Sequence, residues 1–401
     1  MKNNKLTNVL LVLSFIVLIF GGGYKIGEYK SRFNSIYPET YNQQQHDVNF
    51  DLFWETWSKL QERYVDQKKL DPKKMYMGAI KGMVASVDDP YTFFLTPDEN
   101  KQTKDDLGGK FEGIGAQLGL KDNRIIIIAP LKNSPAEKVG VKPGDYINKV
   151  DDVATNKWTL SQAVSKIRGP KNTKVKLTLE RNNKEIDVVI VRQQIIISSV
   201  DLSFEKKIAI LKVNQFGDNT NNEWRKAVQD ISSKWLNKQV TGLVLDLRDN
   251  PGGYLDGSVY LASEFLPFGK LIVKQEAPLY GDKEYRVSRI GLLKEIPVVV
   301  LINKGSASAS EILAGALRDN NRAQLVGEKS FGKGSVQEAL DLKEGAGLHV
   351  TVAKWILPNG DWINGKGIDP KINVVNEIKE GNTITKDVDK QLEKAIELLT
   401  K

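Results

Sequence analysis

The sequence predicts a multidomain α/β protein, and three features of the 401-residue chain predict this class. A nearly uniform apolar run stands close to the N-terminus. A segment with alternating apolar residues follows, which is typical of a small β-rich domain. Continuous apolar strands then alternate with amphipathic helices, which indicates a mostly parallel sheet covered by helices. The length is sufficient for two or three domains, each with its own core.

The apolar run comprises residues 6–24 and contains no charged side chain, while Lys2 and Lys5 precede it. As a helix it is close in length to the hydrocarbon core of a bilayer. Residues 1–30 are therefore predicted to be an uncleaved signal-anchor. The body of the protein is then expected outside the cytoplasm, attached to the cell membrane by a single span.

Two observations bear on this anchor prediction, which has two alternatives. Lys25, Lys30 and Arg32 lie on the far side of the run, which opposes the positive-inside rule for that orientation. The glycines at 21–23 offer a small-residue cleavage site, so a cleaved signal peptide is the first alternative. A buried core helix is the second.

Residues 31–107 are predicted to form an N-terminal helical segment. Residues 31–46 are polar and indicate a linker. Residues 50–87 carry apolar side chains at helical spacing, and Asp71-Pro72 is a helix start signal between two helices.

Residues 108–192 are predicted to form a compact β-rich domain. Apolar residues alternate over 175–179 and again over 186–190, on either side of the turn residues 181–184. This pattern predicts a hairpin. The apolar run 125–128 predicts a further, buried strand.

Residues 193–375 are predicted to form an α/β core, and residues 376–401 a helical tail. The core is expected to contain strands at 208–211, 242–247 and 298–302, and helices at 222–235, 255–266 and 311–318. In the tail, residues 386–399 show the periodicity of an amphipathic helix.

Composition restricts the chemistry. The chain has no cysteine, which excludes disulfides, thiol nucleophiles and thiolate metal sites. Its two histidines, His46 and His349, have no partner at metal-ligand spacing, so neither a metal nor another cofactor is predicted. The net charge of +8 is spread along the chain without a basic cluster among aromatic residues, so nucleic acid is not an expected partner.

With so little histidine, a nucleophilic enzyme needs another general base, and a desolvated lysine can serve. Ser308 is a candidate nucleophile, because it follows a predicted buried strand and precedes a helix. Backbone N–H groups and the helix dipole converge at such a turn and stabilise an oxyanion. The alternative is that Ser306, Ser308 and Ser310 are all small packing residues.

Lys333 is a candidate base, because it lies between two glycines that allow its backbone to bend and its side chain to be buried. Gln337 is four residues further on and could orient the lysine. An exposed loop lysine is the alternative. Residues Gly327–Lys333 also match the spacing of a P-loop. In a P-loop, however, the next residue carries the hydroxyl that binds magnesium, and here that residue is Gly334.

Gly252 and Gly253 follow the predicted strand 242–247. Adjacent glycines permit close approach of the backbone to a ligand and could supply oxyanion-hole N–H groups. A simple turn is the alternative for this pair.

Three motifs taken together resemble those of the carboxyl-terminal processing proteases, also called tail-specific proteases, of peptidase family S41. The motifs are Leu247-Arg248-Asp249-Asn250-Pro251-Gly252-Gly253, Ser306-Ala307-Ser308-Ala309-Ser310-Glu311 and Phe331-Gly332-Lys333-Gly334-Ser335-Val336-Gln337. The resemblance implies a ClpP/crotonase-like α/β serine protease core. It implies Ser308 as nucleophile, Lys333 as general base and Gln337 as its orienting residue. The implied oxyanion hole consists of the Ala309 N–H and a donor from Gly252 or Gly253.

The same resemblance implies that residues 108–192 are a PDZ domain. Gly113, Ile114 and Gly115 match its carboxylate-binding loop, where a peptide C-terminus adds as a strand. Arg168 matches a residue that senses substrate in some members. The expected partners are protein substrates with free, apolar C-termini.

The function predicted from the sequence is therefore a membrane-anchored serine endopeptidase. Trp54, Trp57 and Tyr64 have few apolar partners nearby in sequence, and N-terminal helices pair in some members of the family, so a homodimer is also expected. The alternatives are a catalytically inactive PDZ scaffold and a P-loop nucleotide-binding protein.

Overall fold

The computed structural model describes residues 48–122, 124–131, 133–376 and 389–400. The predicted anchor at 6–24 lies outside these ranges. Within them, no helix combines the length and apolar character that a membrane crossing requires. The chain divides into two compact units, residues 1–76 and residues 77–401.

The described part of the first unit is helical. The helix Asp51–Arg63 is followed by the 3₁₀ turn Gln67–Lys69. The next helix, Pro72–Ala85, begins as predicted after Asp71, whose carboxylate accepts hydrogen bonds from Lys73 N at 2.9 Å and Lys74 N at 3.2 Å. Those bonds satisfy N–H groups that a helix start leaves without partners.

The first helix carries an aromatic cluster. The ring centroid of Phe53 lies 5.0 Å from that of Trp54 and 6.1 Å from that of Trp57. Trp54 remains 59% exposed and Tyr64 40% exposed, whereas Trp57 is half-buried. The predicted apolar face is therefore present on this helix.

The predicted β-rich domain contains a sheet with its own core. Its strands are, in spatial order, Ala116–Lys121, Arg124–Pro130, Tyr146–Val150, Lys174–Arg181 and Lys184–Val191, and Val153–Ala154 pairs with Tyr146–Val150. The helices Pro135–Lys138 and Leu160–Ile167 accompany them. Asn182 and Asn183 both have positive φ, at 50° and 59°, which matches a type I′ hairpin turn and confirms the hairpin.

Two short elements connect this domain to the rest of the chain. The strands Lys110–Gly113 and Gln193–Ile196 pair antiparallel where the chain enters and leaves the domain. The helix Pro97–Leu107 lies directly before them.

The predicted α/β core has a six-stranded sheet. The strand order is Val200–Glu205, Ile208–Val213, Gly242–Asp246, Val298–Ile302, Gln324–Gly327 and Ile372–Asn373. The first pair is antiparallel and the other neighbours are parallel. The helices of this region are Thr220–Leu236, Leu255–Ala262, Ala309–Asp319 and Lys390–Thr400.

Both faces of the central strands are buried, which accounts for their continuous apolar sequence. Leu243 and Leu245 pack in the large core with the helices Thr220–Leu236 and Ala309–Asp319. Val244, between them, packs in a second cluster with residues of the C-terminal helix Lys390–Thr400. Successive residues of a strand point to opposite faces, so the sheet separates these two layers.

The same unit contains a second sheet. Its strand order is Phe93–Leu95, Gly347–Ile356, Leu271–Glu276 and Lys283–Arg286, and Ser335–Asp341 also pairs with Gly347–Ile356. The short 3₁₀ turn Lys343–Gly345 connects the two strands of that hairpin.

Helix boundaries in the core differ from the expected ones. The helix after Ser308 begins at Ala309 rather than at residue 311. The helix that begins at Leu255 ends at Ala262 rather than 266, and the Ser263 hydroxyl donates to Val259 O at 2.8 Å at that end. The C-terminal helix is described from Lys390, so the expected start at 386 lies outside the described residues.

Candidate active site

Three loops of the core meet at one edge of its sheet. The strands Gly242–Asp246, Val298–Ile302 and Gln324–Gly327 are parallel neighbours, so their carboxyl ends lie side by side. The loops that leave these ends carry Asn250–Gly253, Ser308 and Lys333 respectively. In open α/β sheets this edge is the usual place for a ligand.

Ser308 is in a strained backbone conformation, with φ 55° and ψ −115°, directly before the helix Ala309–Asp319. Such a conformation costs about 1–3 kcal/mol in a non-glycine residue and persists only where the surroundings enforce it. Gly252 contacts it closely, because a Cβ added to Gly252 would lie 2.8 Å from Ser308 Cβ. The glycine loop and the candidate nucleophile are therefore in direct contact.

The two flanking serines are buried and hold these loops together. Ser306 Oγ donates to Leu247 O at 2.8 Å, and Ser310 Oγ donates to Asn250 O at 2.9 Å. Both hydroxyls thus serve the contact between the serine loop and the glycine loop, which distinguishes them from the half-buried Ser308.

The glycine loop favours Gly253 over Gly252 as an oxyanion donor. Gly252 N already donates to Asn250 Oδ1 at 2.9 Å. Within the described part of the chain, neither the Gly253 N–H nor the Ala309 N–H donates to a protein acceptor. A Cβ on Gly253, where φ is 131°, would lie 2.1 Å from Phe216 O, so only glycine fits there.

Lys333 is half-buried, and burial lowers the pKa of its ammonium, although the nearby Asp89 carboxylate opposes that shift. Its Nζ lies 5.0 Å from the ring centroid of Tyr91, a cation–π distance. The preceding Gly332 has φ 95°, and a Cβ there would lie 2.7 Å from Gly367 N. Glycine is therefore required at this turn, as the sequence predicted for a bent, buried lysine.

Asp89 and Tyr91 are neighbours of Lys333 that the sequence did not reveal as site residues. The Asp89 carboxylate accepts hydrogen bonds from Thr92 Oγ1 at 2.7 Å and Tyr91 N at 3.1 Å. Burial raises the pKa of Asp89, but hydrogen bonds from Thr351 and Thr92 outweigh it, so the pKa lies below its ordinary value. The sequence Asp88-Asp89-Pro90-Tyr91 indicated only the end of a helix.

His349 also lies close to this group. Burial lowers its pKa, and the positive charge of Lys333 adds to the effect. Its ring stacks on Phe93 with a centroid distance of 4.7 Å, where the strand Phe93–Leu95 pairs with Gly347–Ile356. The segment around Asp89 is thereby fixed to the sheet that carries Gln337.

Gln337 does not contact Lys333 through a hydrogen bond. Its Nε2 donates to Ser335 Oγ at 2.7 Å and to Thr351 Oγ1 at 3.3 Å, next to a register shift between Val336 and Gln337. Among the described residues, no hydrogen bond joins Lys333 Nζ to Ser308 or to Gln337. The structure thus brings Ser308, Ala309 and the glycine loop together, and it shows Lys333 Nζ beside Tyr91.

The predicted carboxylate-binding loop lies at the edge of the β-rich domain. Ile114 is buried in the core of that domain, and its carbonyl accepts from Ala136 N at 2.9 Å. The Gly115 carbonyl accepts from Leu131 N at 2.9 Å, and φ at Gly115 is 71°. The loop backbone is therefore rigidly held.

Arg168 has an internal partner. Its Nη1 donates to Asp106 Oδ1 at 2.8 Å, and its guanidinium carbon lies 4.9 Å from the ring centroid of Phe111. Phe111 precedes the loop that holds Gly113, and Asp106 lies in the last turn of the helix Pro97–Leu107. Nothing in the sequence around Asp106 indicated this ion pair, because it depends on the packing of the two elements.

Three family models match the chain: "Peptidase family S41" at residues 207–374, "PDZ domain" at 99–180 and "Activating protease CtpB N-terminal domain" at 18–99. The carboxy-terminal processing protease CtpB of Bacillus subtilis is 35% identical over 378 residues, which cover 91% of this chain and 77% of that protein. The chain belongs to the carboxyl-terminal processing proteases of peptidase family S41. The family resemblance drawn from the three motifs is thus confirmed, and the family is one of serine-type peptidases.

Other relatives agree with this S41 assignment. A probable CtpA-like serine protease of Staphylococcus aureus (strain N315) is 40% identical over 310 residues, which cover 77% of this chain and 61% of that protein. The chain thus spans less than two thirds of the length of this relative. The solved photosystem II D1 C-terminal processing protease is 28% identical, with a TM-score of 0.53 over 87% of this chain and 97% of that one. A putative S41 protease of Bacteroides fragilis, at 16% identity and a TM-score of 0.55, shares the fold.

Proposed function

We propose that this S41 member is a serine endopeptidase with Ser308 as nucleophile, Lys333 as general base and Gln337 as the residue that orients the base. The observation that carries the proposal is the contact between the strained Ser308 and the glycine loop at the carboxyl edge of the sheet. The lowered pKa of the half-buried Lys333 supports its role as a base.

The proposed reaction begins when the neutral Lys333 amine takes the proton of Ser308 Oγ, which attacks the peptide carbonyl carbon. The N–H groups of Ala309 and Gly253 bind the developing oxyanion. Lys333 then returns the proton to the leaving amine, and water hydrolyses the acyl-enzyme. Since Lys333 Nζ lies beside Tyr91, the cycle includes a rotation of this side chain toward Ser308.

An activity-based fluorophosphonate probe tests the proposal against its two rivals. An active serine peptidase is expected to be labelled at Ser308, and labelling should vanish in Ser308→Ala. An inactive PDZ scaffold would remain unlabelled. A P-loop nucleotide-binding protein is disfavoured, because the segment after Lys333 is the strand Ser335–Asp341 rather than the helix that a P-loop requires.

We infer that substrates are proteins whose free, apolar C-termini bind the PDZ domain at Gly113, Ile114 and Gly115. Within the described residues, the N–H groups of Ile114 and Gly115 donate to no protein acceptor. They are therefore available to a peptide carboxylate, which is the chemistry of C-terminal capture. Arg168, held by Asp106, lies next to this loop and is the proposed sensor.

Amidation of the C-terminus is expected to weaken peptide binding. Hydrogen bonds to a charged group are each worth about 1.5–3 kcal/mol, so an amidated peptide should bind at least about tenfold more weakly. The measurement is calorimetry on the full chain carrying Ser308→Ala, which prevents cleavage during the titration. Equal affinity for the acid and amide forms would refute carboxylate capture.

We also propose that residues 6–24 anchor the protein in the cell membrane with its catalytic body outside the cytoplasm, and that the N-terminal helices pair to form a homodimer. The uncharged apolar run supports the anchor. The exposed Trp54 and Tyr64 support a partner for the helix Asp51–Arg63, since isolated apolar faces of this kind mark interaction surfaces.

Two truncations test these proposals. Removal of residues 1–30 is expected to give a soluble dimer, and removal of residues 1–87 should give monomers or aggregates, as measured by light scattering. A monomer from the first truncation would exclude the dimer. For the orientation, external protease added to spheroplasts should digest the body, and protection of the body would contradict an extracytoplasmic location.

A further inference from the structure

Glu311 is a fully buried carboxylate (0% exposed) in the first turn of the helix Ala309–Asp319. It has no role in the reaction proposed above. A carboxylate without access to water is costly unless donors surround it. The hydrogen-bond donors around the Glu311 carboxylate therefore indicate why this residue is buried.

Four hydrogen bonds reach Glu311, and all of them come from the two loops that carry the proposed nucleophile and base. Its Oε2 accepts from Ser308 N and from Lys333 N, each at 2.9 Å. Its Oε1 accepts from Gly332 N at 2.7 Å and from Ser330 Oγ at 2.5 Å. Because one oxygen binds both Ser308 N and Lys333 N, these nitrogens are separated by at most twice the 2.9 Å bond length.

We propose that Glu311 is a positioning residue for catalysis, which fixes the backbone of Ser308 relative to the backbone of Lys333. The inference rests on the proposed roles of these two residues. The bond to Ser308 N helps to hold the strained φ of 55°, and the bond to Gly332 N helps to hold the neighbouring φ of 95°. With both backbones fixed, the proposed rotation of the Lys333 side chain toward Ser308 starts from a constant backbone position.

The four donors require an acceptor-only group. A glutamine at this position must direct an amide N–H toward one of the two donor pairs. The Ser330 hydroxyl can turn and accept, but a backbone N–H cannot. Glu311→Gln therefore loses at least one backbone hydrogen bond to the Gly332–Lys333 turn, whereas Glu311→Ala loses all four bonds.

Peptide hydrolysis by Glu311→Gln, compared with a matched control, tests this role. The control is Glu264→Gln, another buried glutamate of the core (3% exposed), which accepts from Leu292 N at 2.5 Å and Arg289 Nη2 at 2.7 Å. We expect kcat of Glu311→Gln to fall by about 10- to 100-fold while KM stays within about twofold, because small misplacements of reacting groups act on the chemical step. Glu264→Gln should keep both constants within about twofold while losing comparable stability.

The folded fraction of each variant, measured by thermal denaturation and by binding of a C-terminal peptide, normalises kcat. Unchanged kcat in Glu311→Gln would overturn the proposal, and so would equal losses in the two variants or a Glu311→Gln protein that does not fold. Glu311→Ala should be at least as impaired as Glu311→Gln. Failure of the serine peptidase proposal is a separate result: the wild-type protein would not cleave, or Ser308→Ala would still cleave.

Discussion

Substitution of Ser308 by alanine is expected to abolish peptide cleavage. Ser308 is the residue whose strained backbone contacts the glycine loop, and alanine removes the oxygen that would form the acyl-enzyme. Loss of the nucleophile in a serine protease lowers kcat by roughly 10⁴- to 10⁶-fold. The measurement is cleavage of a protein substrate with a free apolar C-terminus, with peptide binding as the control for folding.

Ser306→Ala and Ser310→Ala are the matched controls. Each removes a buried hydroxyl that donates to the glycine loop, at Leu247 O or Asn250 O. Leaving such an acceptor without its donor costs about 1–3 kcal/mol, so both variants should be less stable yet retain measurable cleavage. Turnover near the wild-type rate in Ser308→Ala, or complete inactivity confined to one of the controls, would assign the nucleophile elsewhere.

Lys333→Arg is expected to be inactive although it keeps the positive charge. A guanidinium does not lose its proton near neutral pH and cannot accept the proton of Ser308. The expected loss of kcat is about 100-fold or more, within the range for removal of a general base. Steady-state hydrolysis measures it, and an active Lys333→Arg enzyme would mean that another base operates.

The pH dependence of the wild-type enzyme also tests Lys333 as the general base. Burial lowers the pKa of Lys333, so the neutral, reactive amine increases as the pH rises through that lowered value, and kcat/KM should rise with it. The groups that face Lys333 are Asp89, Tyr91 and His349. The pKa of His349 is also lowered, so His349 does not account for an activity limb above neutral pH.

Asp89→Asn tests that assignment through a shift of the profile. The Asp89 charge raises the pKa of Lys333, so its removal should lower that pKa and move the activity limb to lower pH. Asp98→Asn, an exposed carboxylate in the first turn of the helix Pro97–Leu107, is the control and should leave the limb in place. A limb that stays fixed in Asp89→Asn, or one that moves to higher pH, would contradict Lys333 as the titrating group.

Much of the fold was predictable, because local sequence patterns of apolar residues and turn residues determine many of its strands and turns. The apolar runs at 242–246 and 298–302 are continuous since helices cover both sheet faces, and this pattern can be read without a structure. The Asn182-Asn183 turn was equally predictable from the sequence, because asparagine tolerates the positive φ that such a hairpin requires. Helix ends were less predictable, since they depend on single hydrogen bonds such as that of Ser263.

The sequence by itself indicated the family, the three motifs, and the predicted strands 242–247 and 298–302 that precede the first two motifs. The strand order and the strand Gln324–Gly327, which precedes the third motif, came from the structure. Only the tertiary structure decided what surrounds the motif residues. It brings Asp89 and Tyr91 to Lys333, pairs Arg168 with Asp106, and converges four donors on Glu311. Apart from the bond from Ser308 N to Glu311, which lies within one helix turn, these contacts join segments far apart in the chain. They arise from the packing of whole elements, for which local periodicity carries no signal.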